Sequence, residues 1–402
     1  MNISAVVLAT DSSGSLPLFG IPAFLRLIKL LTQAGIEDIH VIGGKIAVDE
    51  LILKELSKTV HFHETGDISK IEEILRRLSS SRERFLVMKA NHVIDRGTLT
   101  YFLREATNKD ISLCLRGRGK SEAEGIFLVS SRSLIKVVTF LWPSEVDPRA
   151  LPEEMRIIQA RTSFPCLLRN VSSAEEKLVE ALKLQTEDSD GFLARHFDRP
   201  VSRFISKRLA RTRISPNQVT LIGVTIGLTG AWLFSFPYYL AQMLGAALFL
   251  FCVIIDGVDG ELARLTLRES TFGHYLDVIT DNLVHVAIFI GIAYGLYNET
   301  ENPFYLWALW IMLIGFGLCG ISVYQCILRK SPQHIQQSPK LTRFMAALTN
   351  RDFAYLLFFL AAIHRLNWFF VGSVFGTYLF ATVLWAVHWY DKVKVFSRVK
   401  TR

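Results

Sequence analysis

Between residues 217 and 390 the chain runs through six long apolar stretches, near 218–236, 239–261, 277–297, 304–327, 353–370 and 371–390. A helix needs about 20 apolar residues to cross the roughly 30 Å hydrocarbon core of a bilayer. Inside that core every backbone N–H and C=O must be satisfied by the helix itself. The stretches therefore predict an all-α, six-helix transmembrane domain. His364, Arg365 and Asn367 crowd the junction of the last two, so a tight hairpin must join them.

The basic residues sort with these spans. A net charge of +8 in 402 residues would suit a nucleic-acid partner, but the cations cluster beside apolar runs and no nucleic-acid module is visible, so none is expected. The 262–276 connection carries Arg264 and Arg268, and the 328–351 connection carries Arg329, Lys330, Lys340, Arg343 and Arg351. The tail carries Lys392, Lys394, Arg398, Lys400 and Arg402. With six spans all of these fall on one side, which predicts a multi-pass protein with both termini in the cytoplasm. Before the first span, Arg195, Arg199, Arg203, Lys207, Arg208, Arg211 and Arg213 alternate with Phe192, Leu193, Phe197, Phe204, Ile205 and Leu209. That pattern predicts a basic amphipathic helix with its cations at membrane lipid head groups.

The first half differs in kind. SAVVLAT (4–10), IEDIHVIGG (36–44), FLVMKA (85–90), DISLCLRG (110–117) and GIFLVSS (125–131) read as short strands. FLRLIKLLTQAG (24–35) between them has helical periodicity and stops at Gly35. Such alternation predicts an α/β domain with a largely parallel sheet. The N-terminus has no basic region before its short apolar run and reads as a first strand, not a signal peptide. Five cysteines without a CxxC pair or a histidine cluster give neither a disulfide framework nor a zinc site. The expected domains are 1–175, the α/β domain; 176–216, a linker and juxtamembrane helix; and 217–395, the membrane domain.

Residues 256–281, DGVDGELARLTLRESTFGHYLDVITD, place four aspartates at the edge of a span. On a helix Asp256, Asp259, Gly260, Ala263 and Arg264 share one face, and Gly273, Asp277 and Asp281 share another. Two such helices side by side converge four carboxylates, which repel unless a cation lies among them. Oxygen ligands without His or Cys favour Mg²⁺ or Mn²⁺. Gly260, Ala263 and Gly273 leave the face open to a bulky substrate, and Arg264 can hold a phosphate.

The stretch resembles the signature of the CDP-alcohol phosphotransferases, D-x2-D-G-x2-A-R-x8-G-x3-D-x3-D, with every fixed position present. The resemblance extends to RPVSRFISKRLARTRISPNQVT (199–220) and to the six-span layout. It implies a CDP-alcohol donor, attacked at the phosphorus that bears the alcohol by the hydroxyl of a polar alcohol acceptor, with release of CMP. It also implies a homodimer. Carried over, Asp256, Asp259, Asp277 and Asp281 hold the metal, and Asp281 is the candidate base. Asp256, Gly260, Ala263, Arg264 and Gly273 frame the CDP moiety. Arg329, Lys340, Arg343 and Arg351 are candidates for an acceptor phosphate, and equally for topology charges.

AVVLATDSSGSLPLFGIPAFLRLIKLLTQAGIEDIHVIGG (5–44), KANHVID (89–95) and EGIFLVSS (124–131) resemble the sugar-phosphate nucleotidyltransferases. Active members carry a basic residue in the glycine-rich loop and a metal-binding Asp after the third strand. Here no Arg or Lys occurs from Asp11 through Ala23, and the Asp position aligns with Asn91. The resemblance thus implies an inactive nucleotidyltransferase fold, in a layout similar to bifunctional inositol-phosphate cytidylyltransferase/di-inositol-phosphate synthases. The main expectation is phosphotransfer from CDP-diacylglycerol. One alternative is a bifunctional enzyme making a soluble di-polyol phosphodiester, and another is an inactive transporter or scaffold.

Overall fold

The computed structural model describes residues 3–43, 59–105, 112–117, 125–142, 155–160, 162–186, 191–323 and 352–400. The chain divides into two compact units. One comprises Met1–Gln185 with Ala210–Thr212 and Leu265–Leu267, and the other takes the remaining residues from Thr186 to Arg402.

The first unit is organised by β1 (Ile3–Ala9), whose seven residues are all buried. A strand with no polar alternation has to be covered on both faces. It lies near the middle of a seven-stranded sheet in the order β10-β8-β9-β6-β1-β4-β5. The partners are β4 (Ile39–Gly43), β5 (Val60–Glu64), β6 (Arg84–Lys89), β8 (Ser112–Arg116), β9 (Ile126–Ser130) and β10 (Met155–Gln159). Short strands β2 (Pro17–Leu18), β3 (Ile21–Pro22), β7 (His92–Val93) and β11 (Cys166–Leu167) pair in two small ribbons. Pairings β1–β4, β1–β6, β4–β5 and β8–β10 are parallel, and β9 runs antiparallel to both β6 and β8. Helix α1 (Ala23–Gln33) covers one face of β1 with Phe24, Leu27, Ile28 and Leu31. The other face packs against α2 (Ile68–Ser81) and α4 (Ser131–Leu141) through Leu75, Leu134, Val137 and Val138. Helices α3 (Arg96–Glu105) and α5 (Val171–Thr186) complete the unit. The α/β expectation holds, with β9 as the antiparallel exception.

At one end of the sheet Asp38, His40, His61 and His63 form a polar cluster. His40 Nε2 lies 3.0 Å from Asp38 Oδ1, and its Nδ1 lies 3.2 Å from His63 Nε2. Ser4 Oγ donates to Asp38 at 2.6 Å. Burial pulls His40 and His63 below the ordinary histidine value. For His40 the Asp38 carboxylate opposes this and the neighbouring rings add to it; for His63 the His61 ring adds to it. A base with a depressed folded pKa contributes stability that is complete above its unfolded value and is lost as pH falls through the folded one. Asp38 is held below the usual carboxylate range and stays ionised throughout that window. Hydrogen exchange, corrected for intrinsic rates, should therefore show β4 and β5 losing protection as pH falls below about 6.5, the ordinary histidine value. His63→Gln should flatten that dependence; an equal slope in the variant would contradict the assignment.

The second unit is helical. Helix α6 (Arg199–Leu209) precedes α7 (Pro216–Phe234), α8 (Tyr239–Thr266), α9 (Thr271–Thr300), α10 (Phe304–Val323), α11 (Phe353–Ala362) and α12 (Leu366–Lys400). Helix α7 starts at a capping box: Ser215 Oγ accepts from Gln218 N at 3.3 Å, and Gln218 Oε1 accepts from Ser215 N at 2.9 Å. Among the described residues, α7 to α10 and α12 are five helices long and apolar enough to cross a membrane. The expected fifth span at 353–370 differs. Helix α11 has ten residues, about 15 Å and half a hydrocarbon core. It ends before His364, whose φ of 55° breaks the helix. The hairpin therefore comes at 363–365, and residues 366–370 belong to α12.

Small residues let these helices approach closely. A side chain on Gly291 or Gly295 of α9 would collide with the carbonyl oxygens of Ala231 and Phe234 on α7. Around that contact Phe234, Phe249, Val284, Ile288, Ile292 and Phe370 form the core. Helix α6 corrects one expectation. Arg195 and Arg208 are exposed, but Arg199 is buried with Ser202 and Ser206. Arg199 is thus not a head-group cation, because its Nη1 faces Glu261 at 3.3 Å.

Candidate active site

Three helices build the site. Asp256 and Asp259 stand one turn apart on α8, and Asp277 stands on α9. Each offers a carboxylate oxygen, and the three oxygens all lie within 4.8 Å of one another. Asp259 is 6% exposed, and Asp256 and Asp277 are half-buried. At that separation each pair of ionised groups repels by roughly 3 kcal/mol at an effective dielectric near 20. Such a cluster persists only with compensation, and an all-oxygen donor set suits a hard divalent cation. Asp281, expected as a fourth ligand, is not in this group. It is half-buried one turn further along α9, about 6 Å of helix rise beyond Asp277.

The small residues have identifiable tasks. The Arg264 guanidinium lies back along the helix over Gly260, where a Cβ would make ordinary van der Waals contact with Nη2 at 3.6 Å. Arg264 Nε is buried and meets no acceptor among the described residues. A buried donor without a partner is costly, and an anionic ligand would satisfy it. Gly273 does more than give clearance. It lies in the first turn of α9, where its N–H donates to Ser270 Oγ at 2.9 Å. A Cβ there would press on Ser270 Oγ at 3.0 Å and on Asn217 Oδ1 at 3.2 Å. Ala263 is half-buried on the α8 face that carries Asp256 and Asp259.

Three further residues join the site that spacing did not reveal. Thr220 of α7 donates its hydroxyl to Asp259 Oδ2. Glu261, between the two halves of the motif, is buried on the back of α8. His285, one turn past Asp281, donates Nδ1–H to the Asp281 carbonyl at 2.6 Å and packs on Phe249 and Phe353. Only His285 left a signal, by continuing the four-residue repeat of Gly273, Asp277 and Asp281. Arg329, Lys340, Arg343 and Arg351 lie outside the described residues.

In the α/β unit, the residues aligned with the nucleotide site are bonded to one another. Asp11 caps the turn Ser12–Ser15 by accepting from Ser13 N at 2.9 Å. Asn91 is buried, and its Nδ2 donates to Asp11 Oδ2 at 3.0 Å and to Ser13 Oγ at 2.8 Å. Lys89 closes β6 and is buried. Burial lowers its pKa, opposed by Asp11. The acid is on the loop and the base on the strand, the reverse of the pattern that the resemblance implies for active members.

Residues 213–387 match the family model described as CDP-alcohol phosphatidyltransferase, and the segment includes all eight motif positions. The chain is 28% identical over 285 residues to the Bifunctional IPC transferase and DIPP synthase of Thermococcus kodakarensis, covering 67% of this chain and 64% of that protein. It is 41% identical over 97 residues to the Archaetidylinositol phosphate synthase of Pyrococcus horikoshii, covering 24% of this chain and 49% of that protein. It is 32% identical over 113 residues to the Phosphatidylinositol phosphate synthase of Mycobacterium tuberculosis, covering 28% of this chain and 51% of that protein. The chain thus spans less than two thirds of the length of each of these relatives. Among solved structures, a cytidylyltransferase from Leptospira borgpetersenii is 12% identical with a TM-score of 0.32, covering 53% of this chain and 98% of its own. CMP:2-keto-3-deoxy-manno-octonic acid synthetase complexed with CTP is 13% identical with a TM-score of 0.33, covering 46% of this chain and 99% of its own. Residues 213–387 of this chain thus match the CDP-alcohol phosphatidyltransferase family, and they follow an α/β domain in the sequence.

Proposed function

We propose that this protein transfers a phosphoalcohol group from a CDP-linked alcohol to the hydroxyl of a polar acceptor and releases CMP. The three gathered carboxylates, together with a buried Arg264 Nε that meets no acceptor among the described residues, carry this reading. Asp256, Asp259 and Asp277 would hold Mg²⁺ or Mn²⁺, which when bound neutralises charge on the attacking and leaving oxygens. Arg264 holds the donor phosphate. Asp281 takes the proton of the acceptor hydroxyl as its oxygen bonds to phosphorus. The bond from phosphorus to the CMP oxygen breaks, and CMP leaves with that electron pair. The basic residues before α7 and between α8 and α9 support a cytoplasmic site and a cytoplasmic N-terminus. A homodimer is what the family resemblance implies.

The 285-residue match to a bifunctional relative favours a soluble CDP-polyol donor and a di-polyol phosphodiester product over CDP-diacylglycerol and a lipid product. It also favours a second reading, in which the α/β half makes the donor from CTP. Against that step stand the acidic loop at Asp11 and the amide at Asn91. The test is CMP release by the full chain with Mg²⁺, offering CDP-inositol and CDP-diacylglycerol in turn with inositol or inositol phosphate. CMP should form from CDP-inositol; CMP from neither donor would contradict the proposal. In an Asp256→Asn background, pyrophosphate release from CTP and a polyol phosphate reports the first half alone. Its absence is expected, and its presence would establish the bifunctional reading.

A further inference from the structure

We infer that Glu261 is a positioning residue, which uses α6 to set the place of the α8 carboxylates; the inference rests on the phosphotransferase reading. Glu261 follows Asp259 by two residues, about 200° around the helix, so it points away from the cluster. It is 1% exposed. Its Oε1 accepts from Ser202 Oγ at 2.9 Å and from Arg199 Nη1 at 3.3 Å, and its Oε2 accepts from Ser206 Oγ at 2.8 Å. The three donors share one face of α6, and Ser206 Oγ also lies 3.4 Å from Val258 O. The start of α6 is fixed separately. Tyr355 of α11 donates to the buried Asp198, and Asp352 accepts from Ala194 N at 3.0 Å and Leu193 N at 3.5 Å.

A buried carboxylate with one guanidinium and two hydroxyls is a poor way to gain stability, since apolar packing serves as well or better. Its advantage is register. Three donors meet both oxygens at a single rotation and height of α8 against α6. A slip of one residue would turn α8 by about 100° and shift it about 1.5 Å. Glu261 thereby determines where Asp256 and Asp259 stand relative to Asp277. Misplacement of reacting groups by about 1 Å can cost about a hundredfold in rate.

The test is Mn²⁺ binding to the full chain, read by electron paramagnetic resonance, which needs no turnover. Glu261→Gln should weaken Mn²⁺ binding about tenfold, the low end for residues that orient metal ligands. Ser206→Ala removes one donor, keeps the fold if Glu261→Gln does not, and should weaken binding about threefold. Unchanged Mn²⁺ affinity in both variants, with only a lower melting temperature, would overturn the inference. Failure of the wild type to release CMP from any CDP-alcohol would instead count against the parent reading.

Discussion

Replacing Asp259 with Asn should lower CMP release about a thousandfold or more, the equivalent of losing roughly 4 kcal/mol of transition-state stabilisation. The substitution is nearly isosteric, and the amide oxygen can still accept from the Thr220 hydroxyl. What it removes is one charge from three carboxylate oxygens within 4.8 Å of each other. That loss has an opposite effect on stability. In EDTA no cation offsets the repulsion in the wild type, so Asp259→Asn should melt higher than the wild type. In excess Mg²⁺ the order should reverse. Asp281→Asn should behave differently, lowering kcat with the half-saturating Mg²⁺ unchanged, because Asp281 is outside the cluster. A lower melting temperature for Asp259→Asn in EDTA would show that the carboxylate is structural.

Gly295→Ala should destabilise the membrane unit by about 3 kcal/mol, the upper end of ordinary overpacking costs. The new Cβ would collide with Phe234 O, a backbone atom that cannot swing aside as a side chain tip can. Helices α7 and α9 would have to separate, disturbing the placement of Thr220, the hydroxyl partner of Asp259, relative to α9. Activity should therefore fall with stability. Gly317→Ala and Gly320→Ala on α10 meet nothing within 4 Å among the described residues and should be neutral. Thermal unfolding in detergent, with CMP release on the same samples, separates these outcomes. Equal melting temperatures for Gly295→Ala and Gly317→Ala would contradict the close approach.

The sequence announced the carboxylates because helical spacing ties Asp256 to Asp259 and Gly273 to Asp277 and Asp281. It could not announce Thr220 or Glu261. Their partners lie 39 and 55 to 62 residues away, and nothing local marks a threonine or a glutamate as buried. Arg199 looked like a surface cation for the same reason. In the α/β unit the buried strands β1, β6, β8 and β9 were legible as apolar runs. The strands at the two edges, VHFHE (60–64) and MRIIQ (155–159), were not. An edge strand has one neighbour and more solvent, so its sequence keeps polar residues and loses the strand pattern. The end of α11 was also hidden, since an apolar run does not state where its backbone turns. His364 and Arg365 did mark the hairpin within a few residues.

The most direct test of the metal-dependent phosphotransfer account is CMP release by the full chain in lipid vesicles, with a CDP-alcohol and acceptor present and the divalent cation varied. No CMP should form in EDTA, Mg²⁺ or Mn²⁺ should restore it, and neither should restore it when Asp256, Asp259 and Asp277 are all replaced with Asn. CMP formed in EDTA, or formed by the triple variant, would contradict metal-dependent phosphotransfer.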